Sequence, residues 1–221
     1  GVCTSGVMDE YAYICANKLL ENDLNTNVLE VLFTGLTLKA TNSFDISITG
    51  ANLGFTINEK YYAPWQTFNI KKGDILSFKK TILGQRAYLA VKSGFNINKE
   101  FGSCSTTPKE SLGGLTGDVL KKGDFLSCNT SLQTFNKKLK SIYHPNYNET
   151  LTLRVVLGYQ EEFFSSIEKK KFFSNEFTVS HESNRMATKL NGEKIESTID
   201  GIISEGISFG AIQIPKDGQP I

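Results

Sequence analysis

The feature that most constrains the fold of this chain is a series of short segments rich in Val, Ile, Phe and Thr, bounded by Gly, Asn or Asp. In residues 44–49 (FDISIT), apolar and polar side chains alternate strictly, so we expect one buried face and one face in contact with water. Such segments between turn residues are typical of the strands of a β-barrel or sandwich. The predicted strands are 28–33, 44–49, 66–70, 75–78, 86–91, 151–157, 177–180 and 211–214.

Two segments have helical periodicity instead. Residues 8–20 place Met8, Ala12 and Cys15 on one side of a helix. Residues 161–173 begin with acidic residues and end with lysines, an order that the helix dipole favours. The predicted fold class is therefore mainly β, with barrel-like strands and a few short helices that cover them.

The composition changes between residues 131 and 150, where Lys, Asn, Ser and Tyr replace most aliphatic residues. This change predicts a linker or insert at 131–150 between an N-terminal β-rich lobe, 1–130, and a second lobe, 151–221. A short motif, Lys-Lys-Gly-Asp, occurs at 71–74 and again at 121–124. Each copy predicts a hairpin turn in which the glycine adopts a positive φ.

Charge and cysteine content limit the classes of partner. The chain has 24 Lys and Arg against 23 Asp and Glu, without a basic stripe interleaved with aromatic residues, so no nucleic acid partner is expected. No apolar run approaches the roughly 18 residues that a spanning helix needs, so no membrane partner is expected either. The 4 cysteines lack C-x-x-C spacing, which indicates a reduced, cytoplasmic protein rather than a disulfide scaffold.

The densest polar segment, residues 102–117, is a candidate substrate-binding loop. Ser103, Ser105 and Thr106 supply hydroxyl donors, and Gly113 and Gly114 allow a ligand to approach the backbone closely. Successive N–H groups in such turns form a concave site for carboxylate or phosphate oxygens. The alternative is an ordinary Ser- and Gly-rich surface loop. The chain has no G-x4-G-K-[ST] motif, so no P-loop is predicted.

Two further candidates for substrate binding follow predicted strands. The guanidinium of Arg185 fits a carboxylate or phosphate, although it could instead hold an acid or a carbonyl of the fold. Asn52 has a comparable position after the strand 44–49.

The C-terminal segment, residues 210–221 (GAIQIPKDGQPI), supplies the remaining candidates. Gln213, Gly218 and Gln219 place amide side chains and bare backbone around one tight Pro-Lys-Asp-Gly turn. A small-molecule site needs this combination, whereas a packed core does not.

No catalytic residue and no metal site are assigned from the sequence. The two histidines, His144 and His181, occupy positions typical of surface residues. Cys104 would be reactive if nearby N–H dipoles stabilised its thiolate, and its alternative role is that of a small spacer. No cluster of His, Cys, Asp or Glu has the spacing of metal ligands.

A series of short motifs resembles, in order, those of the allophanate hydrolase subunit 2 family, a carboxyltransferase-domain group that includes KipA-type proteins. The match extends over nearly the whole chain outside 131–150. The motifs are GV-SGVMD at 1–9, ANKLL at 16–20, LE-TG within 29–35, TGA at 49–51, YLAV at 88–91, GS-ST at 102–106, GGL-G at 113–117, LK-GD at 120–124, S-RM at 183–186 and GAIQIPKDGQPI at 210–221.

The resemblance implies a cyclophilin-like β-barrel architecture in two lobes. Its most similar branch implies the C subunit of an ATP-dependent 5-oxoprolinase, which opens 5-oxo-L-proline to glutamate. The implied partners are the KipI-like B subunit of that enzyme, its lactam-utilisation A subunit, and a small-molecule substrate, with ATP used by the assembled complex. Two alternatives remain open: a biotin-dependent carboxyltransferase of a urea carboxylase or allophanate pathway, and a non-catalytic KipA-type protein that binds a kinase inhibitor.

The chain departs from the family pattern at several positions. Cys104 replaces an arginine, which removes a potential anion clamp, and Asn184 replaces an aspartate. The family pattern also has motifs before and after this sequence. The resemblance therefore implies that the chain is trimmed at both ends and that its second lobe is truncated on the C-terminal side.

Overall fold

The computed structural model describes residues 5–130, 135–202 and 205–221. These residues fall into two compact units, unit 1 (Gly1–Thr150) and unit 2 (Leu151–Ile221). The first four residues of the 1–9 motif, which include Cys3, and residues 131–134 of the predicted linker lie outside the described part.

Unit 1 consists of two antiparallel sheets and one long helix, α1 (Glu10–Leu19), in the part of the chain that the structure describes. The first sheet has the strand order β1-β8-β3-β6 and the second has the order β2-β7-β4-β5. The strands are β1 (Leu29–Leu32), β2 (Thr37–Lys39), β3 (Phe44–Asn52), β4 (Phe55–Ile57), β5 (Lys60–Tyr61), β6 (Gln66–Ile70), β7 (Ile75–Phe78) and β8 (Leu83–Val91).

The main core of unit 1 forms from alternate residues of both sheets. Ile46 and Ile48 of β3 pack with Phe55 of β4 and with Leu76 and Phe78 of β7, and all five side chains are almost fully buried. Burying side chains of this size stabilises the fold by about 1.5–3 kcal/mol each. The strands predicted at 66–70 and 75–78 are confirmed, and those at 28–33, 44–49 and 86–91 are confirmed with shifted ends.

The opposite face of β3 is buried too, contrary to the expectation from its alternating sequence. Helix α1 covers this face. The Ser47 and Thr49 hydroxyls donate to the carbonyl oxygens of Ala16 and Ala12, each at 2.7 Å. Because the two polar residues find helical acceptors, an alternating strand can be buried on both sides.

Helix α1 begins where an aspartate caps it. Oδ1 of Asp9 accepts a hydrogen bond from the Ala12 N–H at 2.9 Å, so the predicted helix 8–20 starts at Glu10. Ala12 and Ala16 face the sheet and are fully buried. Their small side chains let the helix backbone approach β3 closely enough for the hydroxyl bonds described above.

Two asparagine side chains hold the backbone at and beyond the end of β8. Asn22 Nδ2 donates to the Val91 carbonyl (2.9 Å), and its Oδ1 accepts from the Ser93 N–H (2.9 Å). The Asn27 amide bonds both backbone groups of Phe95, with Oδ1 accepting at 2.7 Å and Nδ2 donating at 2.9 Å. These amides replace the strand partners that the backbone loses there, and they fix the direction in which the chain leaves the sheet.

The two Lys-Lys-Gly-Asp motifs both form turns. In each, the aspartate carboxylate accepts from the first lysine N–H, at 2.8 Å for Lys71 and 2.7 Å for Lys121. The prediction of a hairpin is wrong for both copies, however, because no strand flanks 121–124 and the strands that flank 71–74 belong to different sheets. Here the turn takes the chain from one sheet to the other.

The described part of the predicted linker, residues 135–150, belongs to unit 1 and packs on the rest of it. Phe135 is buried, and the Thr67 N–H of the edge strand β6 donates to the Lys137 carbonyl at 2.9 Å. The Tyr147 hydroxyl donates to Oδ2 of Asp9 at 2.6 Å. This segment therefore extends the first sheet beyond β6 and reaches the start of helix α1.

Unit 2 is built around a second helix, α2 (Ser166–Ser174), with a short 3-10 helix at Glu161–Phe163 before it. Ser165 interrupts the helix predicted at 161–173, because its hydroxyl accepts from the Glu168 N–H (3.3 Å) and caps α2. Strands β9 (Thr178–Val179) and β10 (Leu190–Asn191) form an antiparallel pair. The β9 pair confirms part of the strand predicted at 177–180.

The strands predicted at 151–157 and 211–214 do not form in the structure. Residues 151–157 are all exposed, and no other described segment pairs with them. Gln213 makes reciprocal backbone bonds of 2.9 Å with Ile221, but the pairing does not extend into a strand. A strand needs a neighbour that supplies its hydrogen bonds along its length, which these apolar sequences lack here. Among the described residues, no helix has both the length and the apolar composition needed to cross a bilayer.

A buried tyrosine joins the start of helix α1 to the first sheet. The Tyr88 hydroxyl accepts from the Asp9 N–H (2.8 Å) and the Met8 N–H (3.2 Å), and it donates to Oε2 of Glu30 (2.8 Å). Burial raises the pKa of Tyr88 far above that of an ordinary tyrosine, and the Glu30 carboxylate adds to the rise. The hydroxyl therefore stays protonated and can act as donor and acceptor at once.

We predict that Tyr88→Phe lowers the free energy of unfolding by about 1–3 kcal/mol, because it leaves buried hydrogen-bonding groups without a partner. Urea unfolding measures the change. The matched control is Tyr61→Phe, in which an exposed hydroxyl loses only its bond from Asn52 and the expected change is within about 0.5 kcal/mol. Equal effects of the two substitutions would contradict this role of Tyr88.

Candidate functional site

The candidate site in unit 1 lies on one long loop, residues 96–127, that leaves the sheet after β8. The loop is closed at its base, where the Asn96 N–H donates to the Ser127 carbonyl (2.8 Å) and the Asn96 side chain donates to the Ser127 hydroxyl (3.1 Å). A bridge between Phe95 and Cys128 continues this pairing. The base of the loop is thus held by the sheet and by the Asn27 amide.

Two short bridges shape the interior of the loop. Glu100 and Ser103 exchange backbone hydrogen bonds of 2.9 and 3.0 Å, and Thr107 bonds Leu112 in the same manner at 2.8 and 3.3 Å. The Ser103 hydroxyl accepts from the Ser105 N–H at 3.1 Å. Consequently the hydroxyl-rich stretch 103–106 runs between two closed turns.

Close backbone contact explains the paired glycines. Both adopt positive φ, 68° at Gly113 and 59° at Gly114. A Cβ at Gly113 would lie 2.0 Å from the Ser105 carbonyl oxygen, and one at Gly114 would lie 2.1 Å from Oγ1 of Thr106. The structure thereby brings together candidates from two separate motifs of the loop: Ser103, Ser105, Thr106, Gly113 and Gly114.

Several backbone N–H groups in this loop are donors to partners within the loop. The Gly114 N–H donates to the Cys104 carbonyl (3.1 Å) and the Gly117 N–H to the Gly113 carbonyl (2.8 Å). The Gly113 N–H donates to Oε2 of Glu100 at 2.8 Å. The loop therefore holds a carboxylate on a glycine amide, the interaction expected for an anionic substrate, but the carboxylate is its own.

Two side chains of the loop, Cys104 and Glu110, have chemically reactive or ionisable groups that are at least partly buried. Cys104 is half-buried, and its Sγ lies 3.7 Å from the Ile97 carbonyl oxygen, a contact that fits the spacer role. Glu110 was not predicted from the sequence. Its Oε2 is buried and accepts no hydrogen bond within the described residues. A carboxylate with this environment could be located only from coordinates, because nothing in the sequence distinguishes it from other glutamates.

Asn52 has a structural task at the end of β3. Its Nδ2 donates to the Tyr61 hydroxyl (2.8 Å), and its Oδ1 accepts from the Gly54 N–H (3.2 Å). The strand register shifts between Gly50 and Asn52. The side chain thus shapes the turn from β3 to β4, and these two bonds tie it to that turn rather than to the 96–127 loop.

Three of the unit 2 candidates surround the C-terminal turn. The Gln219 amide clamps the backbone of Gly192, with Oε1 accepting from N–H at 2.8 Å and Nε2 donating to the carbonyl at 3.2 Å. Gly218 is buried at φ 76°, and its carbonyl accepts from the Ile195 N–H at 3.0 Å. Gln213 is exposed and forms the backbone pair with Ile221.

Arg185, the fourth candidate of unit 2, lies on the exposed turn that follows β9. The Asn184 side chain organises this turn, because its Oδ1 accepts from the Met186 N–H (2.8 Å) and the Ala187 N–H (3.3 Å). The aspartate of the family pattern has the same acceptor oxygen, so this substitution preserves the local geometry.

Each unit also contains a cleft. In unit 2, a cleft of about 860 Å³ is lined by both apolar and charged side chains and includes Gln213 and Gly218 in its wall. In unit 1, a cleft of about 540 Å³ lies between the edges of the two sheets, lined by Lys60, Tyr62 and Asn69 among others and by none of the predicted site residues. Over the described ranges, no group of three or more His, Cys, Asp and Glu is placed to hold a metal ion.

The mainly antiparallel β fold and the glycine-rich loop fit a carboxyltransferase-type domain, and comparison with known proteins identifies the family. Residues 1–221 match the carboxyltransferase domain, subdomains A and B, so the chain belongs to that family. The whole chain is 31% identical to the C subunit of 5-oxoprolinase from Escherichia coli and covers 71% of that protein.

Two longer proteins are also similar. Urea amidolyase of Saccharomyces cerevisiae is 32% identical over 88% of this chain, which covers 11% of the yeast protein. The crystal structure of Kluyveromyces lactis urea carboxylase matches the whole chain with a TM-score of 0.81 and 26% identity, over 22% of its own length. These similarities confirm the resemblance drawn from the motifs and the β-barrel-like fold class.

We predict that Gly113→Ala opens the 96–127 loop, because overpacking of the kind a Cβ causes here costs about 1–3 kcal/mol. Trypsin cleavage after the exposed Lys109 should accelerate at least about fivefold under native conditions. Gly73→Ala is the control, since Gly73 also has a positive φ (96°) but no atom within 4 Å of its added Cβ. Unchanged cleavage in Gly113→Ala would show that the close approach to Ser105 does not shape the loop.

Proposed function

We propose that this chain is the C subunit of an ATP-dependent 5-oxoprolinase, which cleaves 5-oxo-L-proline to glutamate. Its proposed partners are a KipI-like B subunit, which we call the KipI-like partner, and a lactam-utilisation A subunit. The observation that supports this proposal is the similarity of the whole chain to a C subunit of that enzyme, over most of the relative's length. The proposed location is the cytoplasm, in keeping with the unpaired Cys15, Cys104 and Cys128.

In this proposal the 96–127 loop forms a wall of the substrate site. 5-Oxoproline has a carboxylate and a lactam carbonyl, and both need hydrogen-bond donors. The Ser103 and Ser105 hydroxyls and the Gly113 N–H are donors of that type, on a loop whose shape is set by close backbone packing. Donors held in advance stabilise developing negative charge on an oxygen better than mobile ones, because they need no reorganisation.

The Glu100 carboxylate indicates how an anion would bind. It occupies the Gly113 N–H at 2.8 Å, so a substrate carboxylate that uses this donor must displace it. Because Glu100 is exposed, its side chain can change rotamer without disturbing the hydrophobic core. ATP is a substrate of the assembled complex in this scheme, and no residue of this chain is assigned to it, since the loop has no P-loop motif.

A second candidate function is supported by the similarity to urea amidolyase and urea carboxylase. There the chain would be the carboxyltransferase component of a biotin-dependent enzyme that acts on urea. Both candidates require an anion or amide to bind near backbone donors, so the loop geometry favours neither. They differ in co-reactant, because the first consumes ATP directly with a lactam and the second needs a biotinylated carrier.

The assembled complex should release phosphate from ATP only when 5-oxoproline is added, with glutamate formed in equal amount. Phosphate release coupled to glutamate formation measures the activity, and each protein of the complex omitted in turn is the control. Transfer of the carboxyl group from a carboxylated biotin carrier to urea, without activity on 5-oxoproline, would replace the first function with the second. No turnover of either substrate by the complete complex would contradict an enzymatic role.

In that complex, Gly113→Ala should lower kcat/KM for 5-oxoproline at least about tenfold, which corresponds to a loss of about 1.4 kcal/mol of transition-state stabilisation. Gly73→Ala should match the wild type, because its turn lies outside the loop. Circular dichroism must be normal in both variants, and the partner subunits are supplied at concentrations that saturate binding to each variant. A normal rate in Gly113→Ala would remove the loop from the site.

A further inference from the structure

A phenylalanine is displayed at the tip of the first turn of the 96–127 loop. Glu100 and Ser103 exchange two backbone hydrogen bonds across it, and the two residues between them have positive φ, 50° at Phe101 and 80° at Gly102. These values define a two-residue hairpin loop of type I′, for which Asn-Gly is the preferred sequence. Phe101 therefore stands where asparagine is favoured on conformational grounds.

This position is unfavourable for phenylalanine in two independent respects. A bulky residue at positive φ is strained, because its Cβ crowds the following carbonyl. The side chain is also 90% exposed, so packing within unit 1 returns almost none of that cost. Glycine or asparagine would relieve the strain without loss of an internal contact. An aromatic ring held outward on a closed turn has the properties of a binding anchor.

The surroundings of Phe101 relate this ring to the proposed site. Glu100, whose carboxylate binds the Gly113 N–H, is the preceding residue, and Ser103 closes the same turn. The same loop exposes further apolar side chains, Val119 at 62% and Phe125 at 63%. The loop that contains the candidate hydroxyl and glycine donors thus also presents apolar groups that unit 1 leaves uncovered.

We propose that Phe101 is the anchor by which the 96–127 loop docks into an apolar pocket of the KipI-like partner. This inference rests on the proposed function, in which the chain is one member of a complex. Relatives that match the whole chain are named as the C subunit of 5-oxoprolinase, and a protein with partner subunits requires an uncovered surface to bind them. Docking at Phe101 places the partner directly beside Ser103 and Glu100, where the substrate site would be completed between two chains.

The test measures binding of the purified KipI-like partner to this chain by isothermal titration calorimetry. The variant is Phe101→Asn, which removes the ring and suits the type I′ turn, so the loop should keep its fold. Its matched control is Phe33→Asn, because Phe33 is also exposed, at 49%, and has a positive φ of 57°. We expect Phe101→Asn to weaken binding at least about thirtyfold, as for other anchor residues, and Phe33→Asn to bind like the wild type.

Phe101→Trp provides a second measurement, since it should keep most of the affinity and its fluorescence should shift to shorter wavelength when the KipI-like partner is added. Normal affinity of Phe101→Asn, or equal weakening by both Asn variants, would overturn the proposal. So would a dimer of this chain alone that Phe101→Asn dissolves, because a second copy would then occupy the surface. If the partner binds at Phe101 but the complex does not turn over 5-oxoproline, the docking surface stands and the proposed reaction fails.

Discussion

The 96–127 loop of unit 1 depends on side-chain amides that replace backbone partners at the end of β8. The Asn27 amide satisfies both backbone groups of Phe95, and Asn22 does the same for Val91 and Ser93. Asn17, which is fully buried, accepts from Asn22 and so connects this arrangement to helix α1. Without these bonds, the chain would leave the sheet with unsatisfied polar groups, at a cost of about 1–3 kcal/mol for each buried one. The 96–127 loop can therefore project from the sheet on a rigid base.

Within the loop, the physical requirement to satisfy the backbone competes with the requirement to bind a ligand. The glycine amides expected to form an open anion site are partly used to close the loop on itself, at Gly114 and Gly117. At Gly113 the two requirements coincide, because the internal partner is a carboxylate, that of the exposed residue Glu100. The Gly113 N–H is therefore placed to bind a carboxylate, and in this structure it binds that of Glu100.

Sequence patterns predicted the architecture of unit 1 well and that of unit 2 poorly. The strands 66–70 and 75–78 were correct to the residue because their apolar side chains enter a core that the structure contains. Residues 151–157 have an equally apolar sequence but form no strand, since pairing depends on a neighbour that lies elsewhere in a fold. The hairpin expected at 71–74 failed for a related reason: the turn sequence is local, whereas the sheet that each flanking strand joins is not.

The candidate residues show the same difference between local sequence pattern, which was predictable, and tertiary contact, which was not. Motif order placed Ser105 and Gly113 on one loop, but only coordinates reveal that their backbones are in close contact. Coordinates also show that the Gln219 side chain binds the backbone of Gly192 and is not free to bind a ligand. The predicted roles of Arg185 and Asn52 in substrate binding stay predictions. Phe101 had no signal in the sequence, because its significance lies in the combination of a positive φ with full exposure, and neither property can be deduced from the amino acid type.

The central claim is that the 96–127 loop is where this chain meets both its substrate and its KipI-like partner. Amide hydrogen exchange tests it most directly, by following peptides from 98–117 in the chain alone, with the partner, and with the partner, ATP and 5-oxoproline. The account predicts that exchange in this region slows on addition of the partner and slows further with substrate, while the strands β3 and β8 are unchanged. Protection confined to other surfaces, with exchange in 98–117 unaltered throughout, would contradict it.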